Sequence, residues 1–190
     1  MGTMLSRGSS WSRPALVLAL YLGMAVAAVV WSSLRGQPGL WHIASHGEPL
    51  FWSSLFSGIA VGLGLVYLSR LALHRHEWAR DLHREFRGLL GPLEPGEIVV
   101  LALASSIGEE MFFRGALMPV VGVFVSSLVF ALLHIGPRAR HLPWTAGSFA
   151  AGILFSAIFL WTGDLTGAVA GHFTVNLLNL RYVTHFKPRS

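Results

Sequence analysis

Glutamate, arginine and histidine side chains interrupt three apolar stretches that a lipid bilayer would accept. They are Glu109, Glu110, Arg114, His134 and His172. Ionisable groups at such depth are costly and normally face the protein interior or a water-filled cavity. Glu110 and Arg114 are four residues apart, so on a helix they share one face and can form an ion pair that leaves Glu109 free. Five such groups on three predicted helices indicate one shared polar site.

The residue types in this set match the needs of peptide-bond hydrolysis, which are an activated water and stabilisation of an oxyanion. A carboxylate in low-dielectric surroundings can act as a general base near neutral pH, and Glu109 is the candidate. His134 can hold the same water. His172 and Asn176 can donate hydrogen bonds to the developing oxyanion. We therefore expect Glu109, His134, His172 and Asn176 to be catalytic.

Helical spacing supports a common site for these side chains. Phe130 and His134 are four residues apart, as are His172 and Asn176, so each pair can point into the bundle. At a rise of ~1.5 Å per residue, Glu109 lies roughly 13 Å from the outer end of its helix, His172 about 11 Å and Asn176 about 17 Å. His134, at about 21 Å, fits this level least well.

Other functions for the same residues stay open. Zinc could take Glu109, His134 and His172 as the three ligands of an open catalytic site, whereas the glutamate-dependent mechanism needs no cofactor. A Glu–Arg pair can also simply lock helices together in a non-catalytic scaffold or immunity protein. A transporter or proton channel is less favoured, because no inverted repeat is visible. Sequence signatures of HExxH metalloproteases and of GxSxG serine hydrolases are absent.

The composition predicts an all-α, polytopic membrane helix bundle. Apolar residues make up 53% of the 190 residues and charged residues only 12%, and there is no cysteine for disulfides or thiolate sites. Long uncharged runs meet the ~20-residue requirement for crossing a bilayer. Six spans are predicted: Ala15–Leu34, Leu50–Leu73, Ile98–Met118, Val120–Ile135, Trp144–Trp161 and Leu165–Leu180. We expect one compact membrane domain, with a two-span region at 1–96 and a four-span catalytic core at 97–190.

The distribution of basic residues predicts the orientation. Twelve of them flank the spans on one side, and only Arg35 lies on the other. The twelve are Arg7, Arg13, Arg70, Arg75, Arg80, Arg84, Arg87, Arg138, Arg140, Arg181, Lys187 and Arg189. This bias predicts that both termini are cytoplasmic, in the inner (plasma) membrane of a bacterium. It also favours anionic lipid head groups rather than nucleic acid as partners of the basic residues.

Two further features of the sequence concern how the helices pack. The segment HRHEWARDLHREFRGLLGPLEPGE after the second span alternates basic and apolar residues at helical spacing, which predicts an amphipathic helix on the cytoplasmic surface. A solvated basic linker is the alternative. In the second span, Gly58 and Gly62 are four residues apart and would allow a close approach of another helix.

Three motifs resemble those of a known protease family. Glu109-Glu110-Met-Phe-Phe-Arg114 matches EExxxR, Phe130-Ala-Leu-Leu-His134 matches FxxxH, and His172-Phe-Thr-Val-Asn176 matches HxxxN. Their order on separate membrane helices resembles the CPBP family of CAAX-processing and bacteriocin-processing (Abi) intramembrane proteases, over about residues 96–180.

The resemblance implies an endopeptidase whose first motif glutamate activates water with the second-motif histidine. The third-motif histidine and asparagine then form the oxyanion hole, in agreement with the roles given above. The expected substrate is a membrane-anchored protein or peptide precursor. Because the composition suggests a bacterial chain, a precursor peptide or sorting tail is expected rather than a prenylated CAAX protein.

Overall fold

Seven α-helices make up most of the part of the chain that the structure describes. The computed structural model describes residues 12–37, 39–43, 49–136 and 138–186, with the side chains of 12–14 excepted. The helices are α1 Ser12–Leu34, α2 Phe51–Arg75, α3 Glu77–Leu90, α4 Pro95–Glu110, α5 Met118–Leu132, α6 Leu142–Thr162 and α7 Thr166–His185. A π-helical segment, Met111–Leu117, joins α4 to α5, and a short 3₁₀ turn, Ala139–His141, precedes α6. The predicted all-α membrane bundle is confirmed.

The helical stretch that begins at Pro95 reverses direction inside α5. Gly122 has φ 81° and ψ 169°, a conformation that only glycine adopts readily. The Ser126 hydroxyl then donates a hydrogen bond to the carbonyl of Phe113 at 2.8 Å. In an unbroken helix these residues would lie about 20 Å apart, so the two arms must run antiparallel. The third and fourth predicted spans are therefore separate segments, with their turn at Gly122 rather than at the expected boundary near Val120.

The expectation of six membrane spans needs correction. Within the described residues, four helical segments are long and apolar enough to cross a membrane: Ala15–Leu34, Phe51–Arg75, Pro95–Leu132 and Ala139–Thr162. Helix α7, the sixth predicted span, does not meet this criterion. Its polar and small residues lie at contacts with α2, α4 and α6, whereas α1 exposes large apolar side chains such as Leu16 and Leu34. A helix enclosed by protein does not need a lipid-like surface, which is why hydropathy describes α7 poorly.

Glycines bring α2 and α7 into backbone contact, as the spacing of Gly58 and Gly62 predicts. A Cβ atom on Gly62 would lie 2.6 Å from the carbonyl oxygen of Gly171, and a Cβ on Gly58 would collide with the backbone of Gly167. The two helices therefore approach without intervening side chains. This contact fixes the position of α7, which carries His172 and Asn176.

The predicted amphipathic helix is α3, and the linker alternative is wrong. Its apolar face buries Ala79 and Leu82. His83 is also buried, and its Nε2–H donates to the carbonyl of Phe186 at 2.9 Å, just after α7. Burial, reinforced by neighbouring arginines, lowers the pKa of His83 from its ordinary value. In the bundle, this face of α3 therefore packs against protein.

Ion pairs attach the polar side of α3 to the loop between α5 and α6. Arg138 Nη1 lies 2.7 Å from Glu85 Oε1, and Arg140 Nη1 lies 2.8 Å from Asp81 Oδ2. Farther along α3, the ring of Phe86 meets that of Trp144 edge to face at 5.2 Å. Trp144 in turn touches His134, so α3 supports the end of the bundle next to that residue.

Candidate active site

Helix α4 positions the two glutamates. Its start is defined by a capping box, in which Glu94 caps the backbone at Glu97 and Glu97 Oε2 accepts from the Glu94 N–H at 2.8 Å. Sixteen residues then follow in regular α-helix, so Glu109 and Glu110 fall in the last turn, both buried. Directly after them the helix widens into the π-helical segment. Such segments occur frequently at functional sites, and no feature of the residue spacing predicted this one.

Glu110 and Arg114 form a fully buried ion pair. Arg114 Nη1 lies 3.0 Å from Glu110 Oε1, and both side chains have 0% exposure. The guanidinium carbon also lies 4.5 Å from the ring centroid of Phe130, a cation–π distance. Phe130, from the arm after Gly122, therefore packs on the charge that neutralises Glu110.

His172 is held by the same carboxylate oxygen. Its Nδ1 lies 2.7 Å from Glu110 Oε1, which places the Nδ1 proton toward the carboxylate. Its ring stacks on Phe155 of α6 with centroids 5.8 Å apart and a 19° angle between planes. Because Nδ1 is engaged, the free ring nitrogen is Nε2, as in a carboxylate-oriented histidine of a catalytic triad.

His134 is oriented by its own helix. Its Nδ1–H donates to the carbonyl of Phe130 at 2.8 Å, because a carbonyl can only accept. The carbonyl of His134 accepts a hydrogen bond from the Thr145 hydroxyl at 3.0 Å. His134 is therefore fixed at backbone and ring, and Nε2 is again the free nitrogen.

The two free nitrogens point at Glu109. Nε2 of His134 lies 3.9 Å from Glu109 Oε2, and Nε2 of His172 lies 3.8 Å from the same oxygen. This oxygen is buried and has no hydrogen-bond partner among the described residues. When both histidines are neutral, all three atoms present lone pairs, and either a proton on one Nε2 or a donor or cation held between the atoms would offset the repulsion.

The separations indicate what can occupy this position. Two hydrogen bonds of about 2.8 Å at a tetrahedral angle place the outer atoms about 4.5 Å apart. Two zinc bonds of about 2.1 Å at that angle place them about 3.4 Å apart. The observed 3.8 and 3.9 Å fall between these values. A water at this position would need its two hydrogen bonds about 87° apart, below the tetrahedral angle, and zinc would need its ligands to move inward by about 0.5 Å, so either occupant requires a modest adjustment.

The reversal at Gly122 brings His134 to the level of Glu109. Glu109 lies 13 residues before Gly122 and His134 lies 12 residues after it. Because the helical segments before and after Gly122 run antiparallel and are of nearly equal length, both residues lie at the same distance from the turn. The depth estimate that separated them assumed that each helix has its own end at the membrane surface.

Asn176 lies one helical turn beyond His172 but does not bond to Glu109 or to either histidine in the described structure. Its side-chain Nδ2 donates to the hydroxyl of Ser105 at 2.8 Å. Of the predicted site residues, Glu109, Glu110, Arg114, Phe130, His134 and His172 are in mutual contact, and Asn176 sits at the edge of this cluster.

Tyr21 of α1 is a site residue that the motifs do not identify. Its side chain lies near the Glu109 carboxylate. A Cβ on Gly108 would lie 2.6 Å from the Tyr21 carbonyl oxygen, so α1 and α4 touch at the residue before Glu109. The sequence does single out Tyr21, because it carries the only hydroxyl group between residues 15 and 30, in an otherwise apolar helix.

Comparisons with known proteins find similarity in the second half of the chain. A family model described as type II CAAX prenyl endopeptidase Rce1-like matches residues 92–178. The uncharacterized protein YpbD of Bacillus subtilis (strain 168) is 35% identical over 82 residues, which are 42% of this chain. The matched region spans about two fifths (41%) of the length of YpbD. No solved structure matches. The family resemblance predicted from the three motifs is confirmed over this region.

Proposed function

From the match of residues 92–178 to the Rce1-like family model of type II CAAX prenyl endopeptidases, we propose that the protein is an intramembrane endopeptidase. Its substrate would be a membrane-associated protein or peptide precursor. The observation that carries the proposal is the convergence of His134 Nε2 and His172 Nε2 on the buried, unpartnered Glu109 Oε2. A single water held between these atoms would be the nucleophile.

In the proposed first step, a water molecule donates one hydrogen to Glu109 Oε2 and the other to His134 Nε2. Glu109 takes the proton, and the water oxygen forms a bond to the carbonyl carbon of the scissile peptide. The carbonyl oxygen becomes an oxyanion. It accepts hydrogen bonds from the Asn176 amide and, when His172 is protonated, from its Nε2–H.

In the second step the tetrahedral intermediate collapses. The C–N bond breaks, and the departing nitrogen takes the proton that Glu109 holds, so the glutamate returns to its starting state. Products are a new carboxyl terminus and a new amino terminus. Glu110 has a positioning role throughout, because its Oε1 is shared between Arg114 and the Nδ1 of His172.

The orientation and membrane are also part of the proposal. The bias of twelve basic residues against one supports cytoplasmic termini, although Arg7, Lys187 and Arg189 and the side chain of Arg13 lie outside the described structure. That YpbD is a Bacillus protein supports a bacterial origin. A cytoplasmic or plasma-membrane precursor with an extended tail near the bilayer is the corresponding substrate.

A zinc-dependent version of the same hydrolase is the second candidate, favoured by the three lone-pair atoms that converge. Glu109, His134 and His172 would hold the ion. Zinc would supply a Lewis acid and lower the pKa of a bound water. Among the described residues no set of three His, Asp or Glu side chains has metal-binding separations, in line with the inward movement that zinc would require. Metal analysis of the purified protein, with activity before and after chelation and zinc re-addition, separates the two versions.

The proposal is tested with the full chain in proteoliposomes. The probes are internally quenched, membrane-anchored peptides, one set without a prenyl group and one with a farnesylated cysteine followed by three residues. In parallel, new protein termini are mapped in membranes of cells that express the wild type or Glu109→Gln. Because Gln cannot accept the water proton, we expect at least ~100-fold slower cleavage, or loss of the wild-type termini.

Glu77→Gln is the matched control, because Glu77 is an exposed glutamate at the start of α3. It should retain full activity. Equal cleavage by wild type and Glu109→Gln, or identical termini in both membranes, would refute the proposal in favour of a scaffold or immunity role. Proton flux through the wild type alone, without cleavage, would support a channel instead.

A further inference from the structure

Two adjacent serines precede the glutamates on α4 and differ in one contact. Both are buried, and both donate their hydroxyl protons to the same carbonyl, that of Ala102, at 3.1 Å from Ser105 and 2.6 Å from Ser106. Only Ser105 accepts a hydrogen bond from Asn176, at 2.8 Å. The pair therefore offers a natural comparison between a serine that touches the site and one that does not.

The hydrogen-bond directions define what Ser105 can do. Its proton is committed to the Ala102 carbonyl, so its oxygen offers lone pairs to the Asn176 amide. No described histidine or carboxylate accepts the Ser105 proton, so this hydroxyl lacks the base that an activated serine nucleophile requires. The contact instead fixes one of the two N–H groups of Asn176.

The bond runs parallel to the contacts between Glu109 and His172. Ser105 lies one turn before Glu109 on α4, and Asn176 lies one turn after His172 on α7. Two side-chain contacts, one helical turn apart, thus connect α4 to α7: one joins Ser105 to Asn176 and the other joins Glu109 to His172. The Ser105 contact holds Asn176 at a set distance from the glutamate.

We propose that Ser105 is a positioning residue that orients the Asn176 amide toward the oxyanion. The amide group is planar, with its two N–H bonds about 120° apart, so fixing one on Ser105 aims the other in a single direction. Preorganised donors stabilise a transition state because they need no reorientation during reaction. This inference rests on the proposed function for the role of Asn176, and it adds a residue outside the three motifs.

Removal of the Ser105 hydroxyl leaves the Asn176 amide free to rotate. The oxyanion forms only in the transition state, so substrate binding should be unaffected while the chemical step slows. Loss of one oxyanion donor costs about 10²–10³ in kcat, and misorientation of a retained donor should cost less, on the order of 10-fold.

The experiment compares Ser105→Ala, Ser106→Ala, Asn176→Ala and the double variant Ser105→Ala/Asn176→Ala in the proteoliposome assay. We expect kcat to fall about 10-fold for Ser105→Ala, with KM within about twofold of the wild type. Ser106→Ala should stay within about twofold in both. In the Asn176→Ala background, Ser105→Ala should have no further effect, because its partner is already gone.

A second measurement does not depend on cleavage. In the protein labelled with ¹⁵N-asparagine, the Asn176 side-chain amide signals, identified by their loss in Asn176→Ala, should move in Ser105→Ala but not in Ser106→Ala. Melting temperatures of all variants show whether they are folded.

Three outcomes would overturn the inference while Glu109→Gln still abolishes cleavage. They are unchanged Asn176 signals in Ser105→Ala, an equal loss of kcat in both serine variants, and additive losses in the double variant. If Glu109→Gln cleaves normally, the proposed function fails instead. The amide signals then still decide whether Ser105 orients Asn176.

Discussion

At the scale of single residues, the site treats two adjacent glutamates differently: the charge of Glu110 is neutralised, whereas Glu109 is left available. Glu110 has Arg114 and His172 within 3.0 Å, whereas the nearest nitrogens to Glu109 Oε2 are at 3.8 and 3.9 Å. The two glutamates are adjacent in sequence, yet their surroundings assign them different tasks. A carboxylate oxygen without a direct partner can exchange a proton, and one held by two cations or donors cannot do so easily.

The Glu110–Arg114 pair should contribute strongly to folding. Arg114→Ala would leave Glu110 as an unpaired charge in the interior, so we expect a loss of about 3–5 kcal/mol in the free energy of unfolding, measured as reduced stability in detergent. The control is Arg84→Ala, which breaks an exposed pair with Asp81 on α3. That change should cost less than about 1 kcal/mol. Equal losses for the two variants would show that burial does not distinguish the pairs.

At the scale of helices, the site depends on a few positions where backbones meet or turn. Gly122 permits the reversal that lifts His134 to Glu109, and Gly108 permits α1 to touch α4. Gly58 and Gly62 let α7 approach α2. At Gly58, Gly62 and Gly108 a side chain would collide with the neighbouring helix, and at Gly122 the positive φ favours glycine.

The α2–α7 contact can be tested with a matched pair of glycines in α2. In Gly62→Ala the new methyl group would lie 2.6 Å from the Gly171 carbonyl oxygen, so α7 must shift and carry His172 with it. We expect a lower melting temperature and loss of cleavage activity. Gly64→Ala places its methyl in open space and should be neutral or slightly stabilising, because alanine favours helix. A harmless Gly62→Ala would contradict the tight packing.

At the scale of the whole molecule, a mostly apolar exterior surrounds one polar interior. Most of the exposed side chains of α1 and α2 are large and apolar, whereas Glu109, Glu110, Arg114 and His172 are buried together. Helix α3 and its ion pairs lie across the bundle at the end where Arg138 and Arg140 emerge. This arrangement is that of a multi-pass membrane protein with a buried polar cluster inside.

The proposed orientation can be tested with single cysteines, because the chain has none of its own. Ser33→Cys, at the exposed end of α1, should react with a membrane-impermeant thiol reagent in intact cells. Gly88→Cys, on the exposed side of α3, should react only after the membrane is permeabilised. The reverse pattern of labelling would place α3 and the proposed cytoplasmic surface on the outside.

Much of this protein could be predicted from residue types and their spacing. Apolar runs predicted the membrane helices, and the period of α3 predicted its amphipathic face. The four-residue intervals Glu110–Arg114, Phe130–His134 and His172–Asn176 each placed two side chains on one face. These features depend on residues within a turn or two of each other, so local sequence is sufficient to determine them.

Only the tertiary structure decided which faces meet and at what distance. It placed the turn at Gly122, widened the helix after Glu110 into a π-helical segment, paired Ser105 with Asn176 and brought Tyr21 beside Glu109. It also packed α7 against other helices, so that hydropathy alone does not identify this helix as a membrane span. Such contacts join residues far apart in the chain. They depend on how closely the backbones approach, which no single helix encodes.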